Sequence, residues 1–327
     1  MGIKLSDFAI TGTDVSDNNG VIDWNKMLCN ISVIRLGYGK TTDSRALRNW
    51  KNAKGKVDRA PYWYLDYYSN TFNKKSPVYG MSDVEWGYTQ AEYCWSLIKD
   101  DPSAIVFLDI EDGGASYSKP LSDPETQEHA ETIARAFLER MDQLNGKFNG
   151  IYCSVGRLNW FYKWFRNRPL WVAWYNEAQT ISSVLAAVKE KGWTGEVLMW
   201  QYASDGDIDD NGSADGQRMG CDSKFLDLNA WTSTLKRYQE LFGKEVTGED
   251  PVIEDPIIIP ETVSSYRITC GSLFIRELSN ANDSTRKLGL YFKGTKVFIS
   301  DVQNGFGKIY NQNGWISLST KYTEKVI

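Results

Sequence analysis

Between residues 8 and 245, short apolar runs alternate with longer stretches of helical character, and this constrains the fold more than any other feature of the chain. Residues 8–15 read as a strand, 23–29 as a helix, and 31–36 as a β-branched strand followed by a helix near 43–54. Residues 60–67 form an aromatic strand, 83–98 a helix that stops before Asp101-Pro102, and 104–110 the most continuous apolar strand. Asp123-Pro124 opens a long helix to about residue 144, with Asp as cap and Pro at the first position, where a backbone N–H has no helical partner to lose. Residues 150–154, 170–175, 196–202 and 224–228 are further strands, and 230–241 the last helix. Seven or eight strands separated mostly by helices predict parallel packing, because parallel neighbours need a crossover. An open doubly wound sheet and a closed barrel both satisfy this pattern. No Gly-x-Gly-x-x-Gly follows the first strand, no Gly-x-x-x-x-Gly-Lys-Ser/Thr occurs, and the strand number favours an α/β, TIM-like (β/α) barrel. In such barrels functional groups gather at the C-terminal ends of the strands.

After residue 243 the composition changes. Pro251, Pro256 and Pro260 fall among Glu245, Glu249, Asp250, Glu254, Asp255 and Glu261, which reads as an extended acidic linker over 244–265. Residues 266–327 carry short strands punctuated by Gly271-Ser272, Lys293-Gly294, Asn304-Gly305 and Asn313-Gly314, the pattern of a small all-β module. The expected organisation is therefore a large barrel over 1–243, the linker, and the module.

Several function classes drop out on composition. A net charge of −5 offers no electrostatic footprint for nucleic acid. No run is long and apolar enough for a signal peptide or membrane span, so neither secretion by that route nor membrane insertion is expected. The single histidine, His129, lies in the first turns of a polar helix and reads as solvated; one histidine so placed argues against Ser-His-Asp, Cys-His and histidine-zinc chemistry. Cys29, Cys94, Cys153, Cys221 and Cys270 have neither metal spacing nor an even framework and read as reduced, mostly buried thiols. Aromatic residues make up 13%, enough both to fill large cores and to offer flat surfaces on which sugars stack.

Chemistry is left to carboxylates. Asp14 ends the first strand, Asp66 the third, and Asp227 the last, while Asp109 and Glu111 end the strand at 104–110 and share one face by period-two alternation. Glycoside hydrolysis needs such a set, with one carboxyl kept protonated for the leaving oxygen and others ionised against the positive charge that develops on the sugar.

The motifs in order then carry a resemblance. Gly12-Thr13-Asp14-Val15-Ser16 with Gly20-Val21-Ile22-Asp23-Trp24, then Leu108-Asp109-Ile110-Glu111, Leu170-Trp171-Val172-Ala173-Trp174-Tyr175, Met199-Trp200-Gln201-Tyr202 and Leu226-Asp227-Leu228-Asn229 resemble glycoside hydrolase family 25, the Chalaropsis-type lysozymes, over roughly residues 8–235. Where that family carries His on its third strand, this chain has Trp63 in Pro61-Tyr62-Trp63-Tyr64, and residues 204–221 are an insertion that makes Asp222 a rival to Asp227. Ser272-Leu273-Phe274-Ile275-Arg276, Gly294-Thr295-Lys296-Val297 and Asn313-Gly314-Trp315-Ile316 are similar to bacterial SH3-like wall-binding domains. The resemblance implies cleavage of the β-1,4 bond between N-acetylmuramic acid and N-acetylglucosamine in bacterial peptidoglycan. Glu111 would be the acid and then the base, Asp109 would orient an attacking 2-acetamido group, Asp14 and Asp227 would shape the charge, and Tyr62, Tyr64, Asp66, Trp174, Tyr175, Trp200 and Gln201 would line the substrate groove. No cofactor is required, the small module would bind a wall ligand, and the pairing resembles a phage or prophage endolysin made in the host cytoplasm and released through a pore. Two other readings compete, a hydrolase of another acetamido-sugar polymer such as chitin and a non-catalytic wall-binding protein on an inactive barrel.

One motif lies outside this scheme. From Asp207, acids or amides fall at positions one, three, five and nine as Asp207, Asp209, Asn211 and Asp215, with Gly212 at six, the ligand spacing of a calcium loop. Position twelve is Arg218 where such loops carry Glu, so the expectation of structural calcium stands against that of a solvated acidic loop.

Overall fold

The computed structural model describes residues 3–113, 117–159, 164–176, 179–243, 264–280, 285, 287–309 and 314–326. The expected linker at 244–265 falls almost wholly outside the described residues. The chain divides into two compact units.

In the larger unit, β1 (Thr11–Val15), β2 (Ile31–Tyr38), β4 (Asp58–Tyr64), β5 (Phe107–Asp109), β6 (Gly150–Ser154), β7 (Leu170–Ala173), β8 (Val197–Ala203) and β9 (Asp227–Trp231) form one sheet, with the two-residue β3 (Thr41–Thr42) as a hairpin on β2. The strand order β1-β9-β8-β7-β6-β5-β4-β2 closes through a parallel β1–β2 pairing, so the sheet is a barrel. The strands pair in parallel except β9, which is antiparallel to both β8 and β1. The barrel expectation holds, with one strand reversed.

Helices α1 (Ala46–Ala53), α2 (Asp83–Ile98), α3 (Pro124–Asn145) and α4 (Ile181–Glu190) are crossovers between parallel strands, and α5 (Leu235–Phe242) follows β9. Their limits are set by local chemistry. Ser82 and Glu85 form a reciprocal capping box on α2. Asp123 accepts the Thr126 N–H at the start of α3, which ends on Gly146 in the left-handed region. Ile31, Val33, Ala60, Tyr62, Phe107, Tyr152, Trp171, Met199 and Trp231 form a buried cluster on the inward parity of the strands. Beside Trp231, the rings of Tyr238 and Phe242 on α5 pack edge-on, and the Tyr238 hydroxyl donates to Asp58 Oδ2 at 2.7 Å. Asp58 starts β4, so α5 sits at the end of the barrel where the parallel strands begin.

Two elements differ from the sequence reading. Residues 23–29 form no helix, because neighbouring segments take up the local backbone groups: Asp23 N–H donates to Gly220 O at 2.8 Å and Asp222 N–H to Val21 O at 3.0 Å. The last strand starts at Asp227 rather than ending near it, and the last helix starts at Leu235 behind a Thr234 cap.

The smaller unit is all-antiparallel: β10 (Ser264–Ile268), β11 (Ser272–Arg276), β12 (Lys287–Phe292), β13 (Lys296–Gln303), β14 (Phe306–Ile309), β15 (Trp315–Ser317) and β16 (Thr323–Val326), in the order β12-β11-β15-β14-β13-β10-β16. Its core is Ile268, Leu273, Ile275, Tyr291, Val297, Ile299, Ile309 and Ile316.

Candidate active site

Inward parity places a polar side chain on strand after strand above that apolar plug. Asp14 on β1 is level with Asp227 on β9, Tyr64 on β4 with Asp109 on β5, Asp109 with Tyr152 on β6, and Gln201 on β8 with Asn229 on β9. Glu111 follows Asp109 by two residues and shares its parity. Asp227 reaches this level because β9 is reversed, so its first residue lies where the parallel strands end.

Asp14 and Asp109 are buried, Glu111 and Asp227 half-buried. Burial penalises each charge, and the acids raise one another further. Asp14 is lifted to about 6 by burial, against the opposing hydrogen bonds of Asn229 and Gln201. Asp227 is lifted to about 9 by burial and by the charges of Asp14 and Glu111. Asp109 is raised well above the carboxylate range by burial, then by Glu111 and Asp14. Glu111 is raised by burial, with Arg157 and Arg35 opposing. The cluster therefore carries fewer negative charges than carboxyls at neutral pH. Asp109 Oδ1 is buried and has no hydrogen-bond partner among the described residues, an acceptor left for something else to fill.

Two arginines flank the acids. Arg35 on β2 bridges Asp43 Oδ2 at 2.8 Å and Asp17 Oδ1 at 2.5 Å. Arg157, just beyond β6, meets Asp112 Oδ2 at 2.6 Å. Both are tied to other carboxylates yet close enough to hold down Glu111 and Asp109. Sequence reasoning passed over them. The signal was present for Arg35, a charge on the parity of Ile31 and Val33 inside an apolar strand.

Amides and phenols make up the remaining wall. Gln201 Nε2 and Asn229 Nδ2 both donate to Asp14 Oδ2, at 2.7 and 2.8 Å. Tyr152 and Tyr175 hydroxyls donate to Gln201 Oε1 at 2.7 and 2.6 Å, and Trp171 Nε1 donates to Asn229 Oδ1 at 2.7 Å. Tyr152, Trp171 and Asn229 were not among the expected site residues. Of those that were, Gln201 and Tyr175 belong to this network. Tyr62 and Tyr64 both feel the charge of Asp109, and the Tyr64 hydroxyl donates to Asp112 O at 2.8 Å.

Other expected residues lie elsewhere. Trp200 is fully buried on the opposite parity of β8 from Gln201, against Phe8 and Tyr202, with its indole N–H on Trp174 O; it is core, not groove. Asp66 closes the turn after β4, accepting the N–H groups of Tyr68 and Ser69 at 3.0 Å each and the Ser69 hydroxyl. Trp174 is half-buried at the end of β7, with its N–H on Gln201 O. Asp222 is committed to the Val21 N–H at 2.7 Å, which leaves Asp227 as the acid facing Asp14. Trp63 is fully buried with its ring edge-on to Tyr93, on the parity opposite Tyr62 and Tyr64, so the departure at that position faces the helical layer. His129 is half-buried rather than solvated, with Nδ1 2.5 Å from Asp83 Oδ2.

The 207–215 loop is a turn with its own countercharge. Asp207 accepts backbone N–H groups from Asp209, Asn211 and Gly212. Arg218 reaches Asp209 Oδ2 at 2.6 Å and Asp215 Oδ1 at 3.7 Å. Among the described residues no group of three or more His, Cys, Asp or Glu could hold a metal ion.

The family model for glycosyl hydrolases family 25 matches residues 13–211, which is more than half of the chain and takes in Asp14, Asp109 and Glu111. The chain belongs to glycosyl hydrolase family 25. It is accordingly a glycoside hydrolase. No curated protein matches it. Among solved structures, a family 25 glycosyl hydrolase from Bacillus anthracis is similar at 18% identity and TM-score 0.52, over 74% of this chain and 97% of that one. A bacterial lysozyme from Streptomyces coelicolor is similar at 20% identity and TM-score 0.50, over 71% and 96%. The modular autolysin LytC from Streptococcus pneumoniae is similar at 19% identity and TM-score 0.50, over 68% of this chain but only 46% of that one. At these identities the likeness is one of fold.

Proposed function

We propose that the barrel is an N-acetylmuramidase that hydrolyses the β-1,4 bond between N-acetylmuramic acid and N-acetylglucosamine in peptidoglycan, and that this cleavage lyses the cell. The observation that carries the reading is Asp109 at the end of β5 beside Glu111 just beyond it, with Asp14 and Asp227 level with each other on the adjoining strands β1 and β9. Glu111, raised by burial, holds a proton for the leaving glycosidic oxygen. The carbonyl oxygen of the substrate's own 2-acetamido group attacks the anomeric carbon as that bond breaks. Glu111, now ionised, takes a proton from the water that opens the resulting ring, and the acetamido group is restored. Asp109, with its unfilled buried acceptor, orients the acetamido N–H. The family membership and a lysozyme of the same fold support this choice of substrate. Digestion of purified Gram-positive peptidoglycan, borohydride reduction and mass spectrometry test it. Muramitol at the new ends is expected. Glucosaminitol ends would mean a different bond, and no release would mean an inactive barrel.

The small unit is proposed to supply affinity for the wall. The full chain should sediment with purified walls, and a chain ending at Gly243 should bind markedly less. Equal binding would refute the assignment.

A further inference from the structure

Asp14 is held by two amides whose orientations are themselves fixed from behind. An indole N–H can only donate, so the Asn229 atom that meets Trp171 Nε1 at 2.7 Å must be the oxygen, and the Asn229 nitrogen must face Asp14 Oδ2. Gln201 is oriented in the same sense by the Tyr152 and Tyr175 hydroxyls on its oxygen, and its nitrogen donates to the same Asp14 Oδ2. An oxygen that accepts two N–H bonds has no place for a proton, and both bonds favour the charged form. Asp227 faces Asp14 across the β1–β9 ladder, near enough for the charge of Asp14 to disfavour a second charge on Asp227. Two carboxylates so placed repel, so one of the pair must hold a proton.

We propose that Trp171, Asn229, Gln201, Tyr152 and Tyr175 form a positioning relay that assigns the negative charge to Asp14 and the proton to Asp227. The two acids then have different tasks, Asp14 as a fixed charge beneath the sugar and Asp227 as a neutral acid. This division deepens the muramidase reading and rests on it only for its catalytic meaning. Trp171 and Tyr152 act through the amides and need not touch substrate.

The test is carboxyl NMR on protein labelled with 13C at the aspartate carboxyl, with Asp14→Asn and Asp227→Asn to identify the two signals. Asp14 should titrate at lower pH than Asp227. In Asn229→Leu the Asp14 midpoint should rise by about one pH unit or more, the scale of one hydrogen bond to a charged acceptor. Tyr175→Phe keeps both amides in place and should raise it less. Tyr175 is 53% exposed, so this variant carries the test if Asn229→Leu fails to fold. The acidic limb of kcat/KM should move upward in step with the NMR midpoint. A reversed titration order, or variants that lose rate equally at every pH with the limb unmoved, would overturn the relay and leave these residues as packing. A wild-type protein that shows the expected order yet releases no fragments from peptidoglycan would refute the muramidase reading and leave the relay standing.

Discussion

Asp227→Asn should make the barrel more stable while making it a poorer enzyme. An unperturbed Asp titrates near 3.8, and burial with the charges of Asp14 and Glu111 lifts Asp227 to about 9 in the fold. The folded state therefore binds this proton more tightly than the unfolded chain. Below about pH 4 both states are protonated and the group is neutral in its effect. As pH rises the unfolded chain ionises first while the fold still holds the proton, so stability is lost progressively until about pH 9. At pH 7 the interval is roughly three pH units, and at about 1.4 kcal/mol per unit the upper bound is about 4 kcal/mol. Asn removes the titration but remains a polar group in a poorly solvated place. The expected gain at pH 7 is therefore about 1–3 kcal/mol. Urea unfolding at pH 4, 7 and 9, followed by tryptophan fluorescence, measures it, since every tryptophan except Trp315 precedes residue 264. The difference between variant and wild type should be small at pH 4 and grow with pH. A variant less stable than wild type at pH 7 and 9, or an offset independent of pH, would refute the reasoning.

Glu111→Gln preserves shape but cannot deliver a proton, so the rate of wall hydrolysis should fall at least about a hundredfold with an unchanged circular dichroism spectrum; near-normal lysis would remove Glu111 from the role of acid. Gly87→Ala on α2 would place a methyl 2.4 Å from Ile133 O and 2.6 Å from Ala136 Cβ. The helix-propensity gain of about 1 kcal/mol should lose to overpacking of about 1–3 kcal/mol or more, so the melting temperature should drop, and a rise would show that α2 and α3 can separate freely. Arg218 already pairs with Asp209 beside the 207–215 loop, so metal-stripped protein should melt at the same temperature in millimolar calcium and in EDTA; a calcium-dependent increase would establish the calcium reading.

Local chemistry made much of the barrel legible. The stop of α2 before Asp101-Pro102 and the opening of α3 at Asp123-Pro124 are signals that need no knowledge of distant residues. Period-two parity likewise put Asp109 and Glu111 together. What sequence hid is long-range. Tyr152, Trp171 and Asn229 enter the site only through hydrogen bonds to partners 49, 58 and 215 residues away. The resemblance placed Trp200 in the groove with Gln201, whereas parity sends it to the other side of β8. The same parity argument that located Asp109 and Glu111 would have excluded it.

The reversed strand joins fold and chemistry. A parallel β9 would have needed a crossover running the length of the barrel, normally a helix, and its C-terminal residues would have met the site. An antiparallel β9 needs no such return. Residues 204–226 can therefore remain an irregular loop at the mouth where β8 ends, and the first residue of the strand, Asp227, arrives level with Asp14. The parity of β9 then carries Asn229 inward one step deeper, where its amide reaches Asp14 and its oxygen meets Trp171. A single reversal of direction thus supplies both the partner acid and one of the two amides that hold Asp14. Reading strand ends alone as the places to look for catalytic groups finds Asp227 for the wrong reason, because in this strand the functional end is the beginning.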